Sequence, residues 1–213
     1  MKIPATPKLR ILLVDDHFVV RLGLADLLST EPDFEVVGEA ADGEEAVSMF
    51  LDLRPAVVVM DFELPKLDGP DAVAAIRLQD PAACILMLTV SDAEESVWRA
   101  VQAGASGYAL KSSRREDLVA AVRTVGSGAE YFPAGIAAKL SARSSRPTLS
   151  PREYDVLGCL VRGLANKEIA DFLGLAEPTI KMHLVSVFEK LGARDRTQAA
   201  MLAVKRGLLS AGK

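Results

Sequence analysis

The sequence predicts a doubly wound α/β domain followed by an all-α domain, and three observations lead to this prediction. Up to about residue 125, five short apolar segments alternate with amphipathic segments, which is the pattern of a parallel sheet covered by helices on both faces. From residue 149 onward, every segment has helical character. The charge divides as well: residues 1–143 hold 14 basic and 22 acidic side chains, and residues 144–213 hold 11 and 7. The two halves therefore carry net charges of −8 and +4, which favours different binding partners for each. The basic half could bind the phosphate backbone of a nucleic acid.

Length and composition limit the kind of protein this can be. The 213 residues are enough for two ordinary domains, and half of them are apolar, so a packed core is expected. Cys84 and Cys159 lie far apart in apolar surroundings, which predicts reduced core thiols rather than disulfides or a zinc site. No apolar stretch is long enough to cross a bilayer, and Asp15 and Asp16 interrupt any signal-peptide core. We therefore expect a cytoplasmic protein.

The elements of the first domain follow one another regularly. We predict strands over residues 9–14, 34–40, 56–60, 83–89 and 107–110, because these runs are short, apolar and bounded by polar or turn residues. The first helix places Val20, Leu24, Leu27 and Leu28 on one face, and further helices are predicted over 42–53, 69–79, 92–103 and 115–125. We expect a five-stranded, flavodoxin-like parallel sheet with the order 2-1-3-4-5, which is one of the common orders of doubly wound folds.

The second half is predicted to be a compact bundle of four short helices. Ser150, Pro151 and Glu153 form a capping box that starts a helix ending near residue 162. Asn166 is predicted to cap the next helix, which ends near 173. A third helix, from about 178 to 191, ends at Gly192 in a left-handed cap, and the last begins at about 195. The predicted domains are residues 8–126 and 147–213, with a linker over 127–146 that contains one helical turn near 134–141.

Acidic residues stand at the ends of two predicted strands. Asp15 and Asp16 follow the first strand and Asp61 follows the third. In the order 2-1-3-4-5 these strands are neighbours where the order reverses, so the three carboxylates are expected to share one cleft. Carboxylates so close together repel each other unless a cation lies between them. Oxygen ligands suit Mg²⁺, and the sequence therefore predicts a magnesium site.

Two further strand ends point to the same edge of the sheet. The fourth strand ends at Thr89, and Lys111 follows the fifth. A metal and an ammonium group would neutralise charge on a phosphoryl group, and the hydroxyl would bind one of its oxygens. Asp61 is then the predicted nucleophile, which accepts phosphate as an acyl phosphate.

The motifs that carry these residues resemble those of a known family. The segments "VDDH", "MDFELPKLDG", "LTVS" and "GYALK" resemble the receiver domain of bacterial two-component response regulators, over about residues 8–125. The resemblance implies Asp61 as the phosphoacceptor, a sensor histidine kinase as the phosphodonor, and Asp16 as a direct metal ligand. It also implies the backbone carbonyl of Glu63 as a ligand and Thr89 with Tyr108 as the switch pair. In this chain Ser112 follows Lys111 where receivers usually have proline, which puts the local loop geometry in question.

The basic half has the pattern of a helix-turn-helix. Ala170 allows two helices to cross closely, Gly174 allows a tight turn, and Ile180 belongs to the core of the second helix. The segment from "LSPREYDVLGCLV" to "RTQAAMLAV" resembles the LuxR-type DNA-binding domain of NarL/FixJ response regulators. The resemblance implies that residues 178–191 enter the major groove of double-stranded DNA. It implies DNA contacts from Lys167, Thr179, Lys181, Met182, Val185, Lys190, Arg194 and Arg196.

This second resemblance implies a transcription factor rather than a turnover enzyme, acting on the transcription machinery as a homodimer. The last helix commonly pairs on DNA in this family. Met201, Leu202 and Val204 are the candidates there, and core packing is the alternative use that we expect for most of them. Two positions depart from common members. Ala176 replaces a frequent serine cap, and Val185 replaces a frequent basic residue, so base contact at 185 is expected to be apolar.

Two other functions remain open at this point. A magnesium-dependent phosphohydrolase also uses an aspartate nucleophile at a strand end, although it usually has a second aspartate two residues later, where this chain has Glu63. An orphan regulator would bind DNA without ever being phosphorylated. The intact mass after incubation with magnesium and a small phosphodonor tests the orphan hypothesis, because an orphan regulator would gain no mass. An assay for turnover of phosphate esters tests the hydrolase hypothesis, because only an enzyme would show turnover.

Overall fold

A computed structural model describes residues 7–144 and 147–209 of the chain. The chain divides into two compact units, which are described separately. The first comprises residues up to Asp92 together with Val97–Ala138, and the second comprises Ala93–Ser96 with the residues from Lys139 onward.

The first unit contains one parallel sheet of five strands in the order β2-β1-β3-β4-β5, which confirms the predicted topology. Its strands are β1 (Leu9–Val14), β2 (Phe34–Ala40), β3 (Val57–Asp61), β4 (Ile85–Thr89) and β5 (Gly107–Leu110). Val14 pairs with Met60, Asp61 with Leu88, and Thr89 with Leu110. This register brings the carboxyl ends of β1, β3, β4 and β5 to the same edge of the sheet.

Helices alternate with the strands, as the apolar spacing predicts. They are α1 (Phe18–Ser29), α2 (Gly43–Leu53), α3 (Gly69–Gln79), α4 (Glu94–Ala103) and α5 (Arg115–Gly126). One hydrophobic cluster joins the sheet to α1 and α5, and it includes Leu28, Val59 and Val122. Because β3, β4 and the last four residues of β1 are buried on both faces, their side chains form near-continuous apolar runs.

The segment predicted to be a linker is more ordered than its composition suggested. Tyr131 forms an isolated parallel bridge with Gly107: its amide donates to Ser106 O at 3.1 Å, and its carbonyl accepts from Tyr108 N at 2.9 Å. Instead of one helical turn, an 11-residue helix follows, α6 (Ala134–Ser144). Alanine is the strongest helix former, and four alanines in this stretch outweigh the Gly and Ser content that favoured a linker.

The second unit contains the four predicted helices: α7 (Pro151–Val161), α8 (Asn166–Leu173), α9 (Glu177–Leu191) and α10 (Arg196–Lys205). A single hydrophobic cluster draws on all four, with Leu157, Ile169, Val187 and Ala199 fully buried. The prediction that Asn166 caps α8 is wrong by one position. Ala165 is the cap residue, and its amide donates to the Glu168 carboxylate at 2.6 Å.

Two other local signals are confirmed in this unit. Ser150 caps α7 and forms a capping box with Glu153. Gly192 ends α9 with a φ of 67°, a left-handed conformation that glycine adopts at little cost. Within the residues that the structure describes, no helix is both long and apolar enough to span a membrane.

Candidate functional site

Three carboxylates lie together at the carboxyl edge of the sheet. Asp15 follows β1 and is 1% exposed, and Asp61 ends β3 and is 6% exposed. Asp16 and His17 complete the group on the solvent side, and one ligand atom from each of the four residues lies within 4.8 Å of the others. The neighbouring positions of β1 and β3 bring these acids together, as the strand order predicts.

The ammonium group of Lys111 bridges the two buried carboxylates. Its Nζ lies 2.6 Å from Asp15 Oδ2 and 2.7 Å from Asp61 Oδ2. The backbone amide of Lys111 donates to Thr89 O at 2.7 Å, and a turn closes behind it through Ser113 N and Leu110 O at 2.9 Å. Serine at position 112 therefore leaves Lys111 within reach of the acids.

The charges in the pocket do not cancel. Burial raises the pKa of Asp61, the hydrogen bond and charge of Lys111 oppose this, and the nearby Asp15 adds to the rise. For Lys111, burial alone would lower the pKa, but the hydrogen bonds to Asp15 and Asp61 raise it overall. The pocket holds three carboxyl groups but only one ammonium, that of Lys111, so it favours a further cation.

The donor set suits a hard divalent cation. Asp15, Asp16 and Asp61 offer only carboxylate oxygens, the ligands that magnesium prefers. The imidazole Nδ1 of His17 lies 2.6 Å from Asp16 Oδ1, so its nearest partner is an acid of the same cluster. Glu63, whose backbone carbonyl is the predicted further ligand, lies in the exposed loop after β3.

Local hydrogen bonds hold the acids in place. Asp15 Oδ1 accepts from His17 N at 2.9 Å, and Asp61 Oδ1 accepts from Phe62 N at 2.7 Å. The guanidinium of Arg21 donates to the backbone carbonyl of Asp15. Each buried carboxylate therefore uses one oxygen for the backbone and turns the other toward Lys111.

The predicted switch residues lie side by side. Thr89 is buried at the end of β4, and its Oγ1 accepts from Ser91 N at 3.2 Å. Tyr108 is buried on β5, and its hydroxyl donates to Ser91 O at 2.7 Å. Burial raises the pKa of Tyr108, so the phenol stays protonated. Both side chains thus bind the backbone of the same loop residue.

The second unit places α8 and α9 as a helix-turn-helix. Gly174 ends α8 with a φ of 65°, which allows the tight turn into α9. On α9, Met182 is 69% exposed and Val185 57% exposed, while Lys181 is also exposed and Thr179 half-buried. The cap position Ala176 makes no side-chain hydrogen bond, as its replacement of serine predicts.

The predicted phosphate contacts fall into two groups. Lys167 and Arg194 are exposed. Lys190 and Arg196 already bind acceptors within the protein: Lys190 Nζ lies 2.6 Å from the Glu153 carboxylate, and Arg196 donates to Leu164 O and to Asn166 Oδ1. Lys167 and Arg194 are therefore better placed to contact DNA phosphates than Lys190 and Arg196, whose side chains already bind acceptors within the protein.

Two acidic side chains make supporting contacts near these sites that the sequence did not predict. Glu153 binds Ser186 and Lys190 of α9 in addition to its capping role. Asp42 caps α2 and also binds Lys66 in the loop after Asp61. These partners lie 24 to 37 residues apart in the chain. The capping box at Ser150 gave a local signal for the capping role of Glu153, but no local pattern predicted its contacts with α9.

Fold and pocket define a class of protein: a doubly wound α/β domain with an acidic, lysine-bridged pocket, followed by an all-α domain that contains a helix-turn-helix. Residues 11–123 match the family model for the response regulator receiver domain, and residues 147–203 match that for bacterial regulatory proteins of the luxR family. The chain belongs to the DNA-binding response regulators of two-component systems.

Individual relatives agree along nearly the whole chain. The response regulator protein VraR of Staphylococcus aureus is 34% identical over 206 residues, which cover 94% of this chain and 99% of that protein. A crystal structure of the response regulator ChrA, from a heme-sensing two-component system, is 36% identical with a TM-score of 0.57, covering 96% of this chain and 100% of that one. A structure of the Salmonella typhimurium response regulator RcsB, described for its DNA interaction, is 25% identical with a TM-score of 0.61. It covers 92% of this chain and 98% of that one.

Proposed function

We propose that a sensor histidine kinase phosphorylates Asp61 and that this modification controls DNA binding by the second unit. The observation that carries this proposal is the bridge from Lys111 to both Asp15 and Asp61 at the carboxyl edge of the sheet. A nucleophilic carboxylate, an ammonium group and a second acid so close together form a pocket for a phosphoryl group.

The transfer replaces one bond to phosphorus by another. A carboxylate oxygen of Asp61 forms the new P–O bond while the P–N bond of the kinase phosphohistidine breaks, and the electron pair of that bond returns to the imidazole. Lys111 donates to a phosphoryl oxygen and stabilises its negative charge. Thr89, at the end of the adjacent strand, supplies a hydroxyl for another oxygen.

Magnesium is the proposed cofactor of this pocket. Asp15, Asp16 and Asp61 would hold it, together with the backbone carbonyl of Glu63. When bound, the metal neutralises charge on the phosphoryl oxygens. The chain's own side chains orient the acceptor: Phe62 N holds one oxygen of Asp61 and leaves the other for reaction.

The output of phosphorylation is a change in DNA binding. Thr89 and Tyr108 are the proposed switch, since both bind the backbone of Ser91 and a hydroxyl drawn toward a phosphate would break the Thr89 contact. On α9, Thr179, Lys181, Met182 and Val185 are proposed to face the bases, with Lys167 and Arg194 on phosphates. Such a protein works in the cytoplasm, where its DNA is.

A homodimer is the proposed DNA-bound form. One module of this size makes few phosphate contacts, and two modules double them. Met201 and Val204 are exposed on α10, and a pair of such helices would bury both side chains. Dimeric binding would then present two copies of α9 to adjacent half-sites and recruit the transcription machinery there.

Intact mass spectrometry tests the proposal. The full-length protein is incubated with magnesium chloride and acetyl phosphate, in parallel with Asp61→Asn. We expect the native protein to gain the mass of one phosphoryl group and the variant to gain none, with magnesium-free samples unmodified. No gain in the native protein would favour an unphosphorylated regulator. A separate assay with a phosphate ester tests for enzymatic turnover, and multiple turnovers there would favour a hydrolase over a regulator.

A further inference from the structure

We propose that Asp42 and Lys66 form a latch that positions the loop between β3 and α3 for metal binding. The proposal rests on the function proposed above and adds two positioning residues to it. Neither residue belongs to the acidic pocket. Both act through the loop 62–68, which begins directly after the acceptor Asp61 and contains Glu63.

The loop adopts a conformation that its sequence does not favour. Lys66 has a φ of 63°, a left-handed conformation that is unfavourable for a residue other than glycine. A tight turn accompanies it, with Leu67 N donating to Pro65 O at 2.8 Å. Interactions outside the loop must therefore hold Lys66 in place.

The ion pair with Asp42 provides this interaction. Lys66 Nζ lies 2.5 Å from Asp42 Oδ2, although the Lys66 side chain is otherwise 60% exposed. Asp42 is itself fixed to α2, because its Oδ1 accepts from Glu45 N at 2.9 Å as the cap of that helix, and the residue is buried. One carboxylate oxygen thus caps the helix while the other holds the loop. The charge pair also lowers the pKa of Asp42 and raises that of Lys66.

The backbone of the loop packs closely against two glycines, Gly43 beside Asp42 and Gly69 at the start of α3. A Cβ at Gly43, next to Asp42, would lie 2.1 Å from Leu67 O. At the far end, a Cβ at Gly69 would lie 2.1 Å from Asp61 O, and Gly69 N donates to Phe62 O at 3.0 Å.

A separate contact holds the end of the loop. Asp68 Oδ2 accepts from Arg99 Nη2 at 2.8 Å. Loss of the latch is therefore expected to free mainly residues 63–67, the part that carries the Glu63 carbonyl, while the ends stay in place.

Residues that orient metal ligands without touching the metal typically change its affinity, by about 10-fold or more when lost. An exposed ion pair taken alone contributes little to the stability of the fold. The latch therefore predicts a specific pattern: metal affinity falls while the fold and the phosphorylation rate at saturating magnesium stay nearly unchanged.

The test compares four full-length variants with the native chain. Lys66→Met removes the ammonium group, Lys66→Arg keeps a cation, and Asp42→Asn keeps the cap oxygen but removes the charge. The control, Arg123→Met, removes a surface ion pair of similar geometry (Arg123 Nε to Asp33 Oδ2, 2.9 Å) at the opposite edge of the sheet.

Three measurements are made on each protein. Titration calorimetry with magnesium chloride gives the metal dissociation constant, and hydrogen exchange of the metal-free protein reports on the Leu67 amide. Phosphorylation rates with acetyl phosphate over a magnesium series separate affinity from the saturated rate. We expect Lys66→Met and Asp42→Asn to bind magnesium about 10-fold more weakly and to exchange faster at Leu67. Lys66→Arg should recover affinity, and Arg123→Met should match the native protein.

Native affinity together with native exchange at Leu67 in Lys66→Met would overturn the latch. A loss of the saturated rate with unchanged affinity would overturn it as well. A native protein that takes no phosphate would contradict the proposed function instead, and the exchange comparison in metal-free protein would still decide whether the latch exists.

Discussion

The carboxylate of Glu153 joins two helices of the DNA-binding unit, and Glu153→Gln tests how much this contact stabilises the unit. Glu153 is buried on α7. Its Oε1 accepts from Ser186 Oγ and its Oε2 from Lys190 Nζ, both on α9 and both at 2.6 Å. The amide of glutamine carries no charge and replaces one acceptor by a donor. The ammonium of Lys190 then loses its anionic partner, and the unit is expected to unfold more easily.

The magnitude follows from the ionisation of Glu153. Burial alone would raise its pKa, but the hydrogen bonds from Lys190, Ser186 and Ser150 lower the pKa from 4.5 to about 2. One pKa unit corresponds to about 1.4 kcal/mol, so the ionised carboxyl stabilises the folded unit by at most about 3 kcal/mol. Since Lys190 keeps 27% of its side chain exposed, screening reduces this, and we expect about 2–3 kcal/mol at pH 7.

The pH dependence gives the test its sign. The folded pKa lies below the unfolded one, so the stabilisation is fully present above about pH 5 and is lost as the pH falls toward 2. By linkage, roughly half of it remains at pH 3. The difference between native and Glu153→Gln protein should therefore shrink by about half between pH 6 and pH 3.

Hydrogen exchange of α9 peptides in the full chain measures this difference, because core amides exchange through unfolding of the unit. Peptides from β3 in the first unit serve as an internal control and should be unaffected. A difference that is absent at pH 6 would refute the reasoning. A difference that is equally large at pH 3 would do the same, since it would then arise from packing rather than from the charge.

Three further predictions concern single side chains. In metal-free buffer at a pH above about 5, Asp61→Asn should have a higher thermal unfolding temperature than the native protein. Burial raises the pKa of Asp61, so ionisation of this carboxyl opposes folding. The difference in unfolding temperature should vanish when the buffer is acidified. Gly69→Ala should lower the free energy of unfolding, measured in urea, by about 1–3 kcal/mol, because the new methyl group overpacks the site. Gly23→Ala should raise it by about 0.5–1 kcal/mol, because a Cβ at that position meets open space. Effects of the same sign for the two variants would contradict this prediction. Fluorescence anisotropy with a fixed duplex should show that Lys167→Met reduces the salt slope of DNA binding by about 1 while Lys190→Met leaves it unchanged. Equal slopes for the two variants would place both side chains in the same role.

The comparison of sequence and structure separates local from distant information. The strands, the helices of the first unit and the capping box at Ser150 could be predicted, because apolar periodicity and capping act over a few neighbouring residues. The strand order followed from the fold class that these elements define. The 11-residue helix α6 was underestimated, since its alanines had to be weighed against Gly and Ser nearby. The bridge between Tyr131 and the outer strand β5 could not be predicted from the local sequence, because its partner Gly107 lies 24 positions earlier in the chain.

By itself, the sequence determined which residues stand at strand ends, and therefore that Asp15, Asp61 and Lys111 would meet at one edge of a parallel sheet. Only the tertiary structure decided what each long side chain binds. Lys190 pairs with Glu153, and Lys66 with Asp42, because packing brings together partners that are far apart in the chain. An ammonium on a flexible stem takes whichever anion the fold brings within reach, and no local pattern of residues specifies that choice.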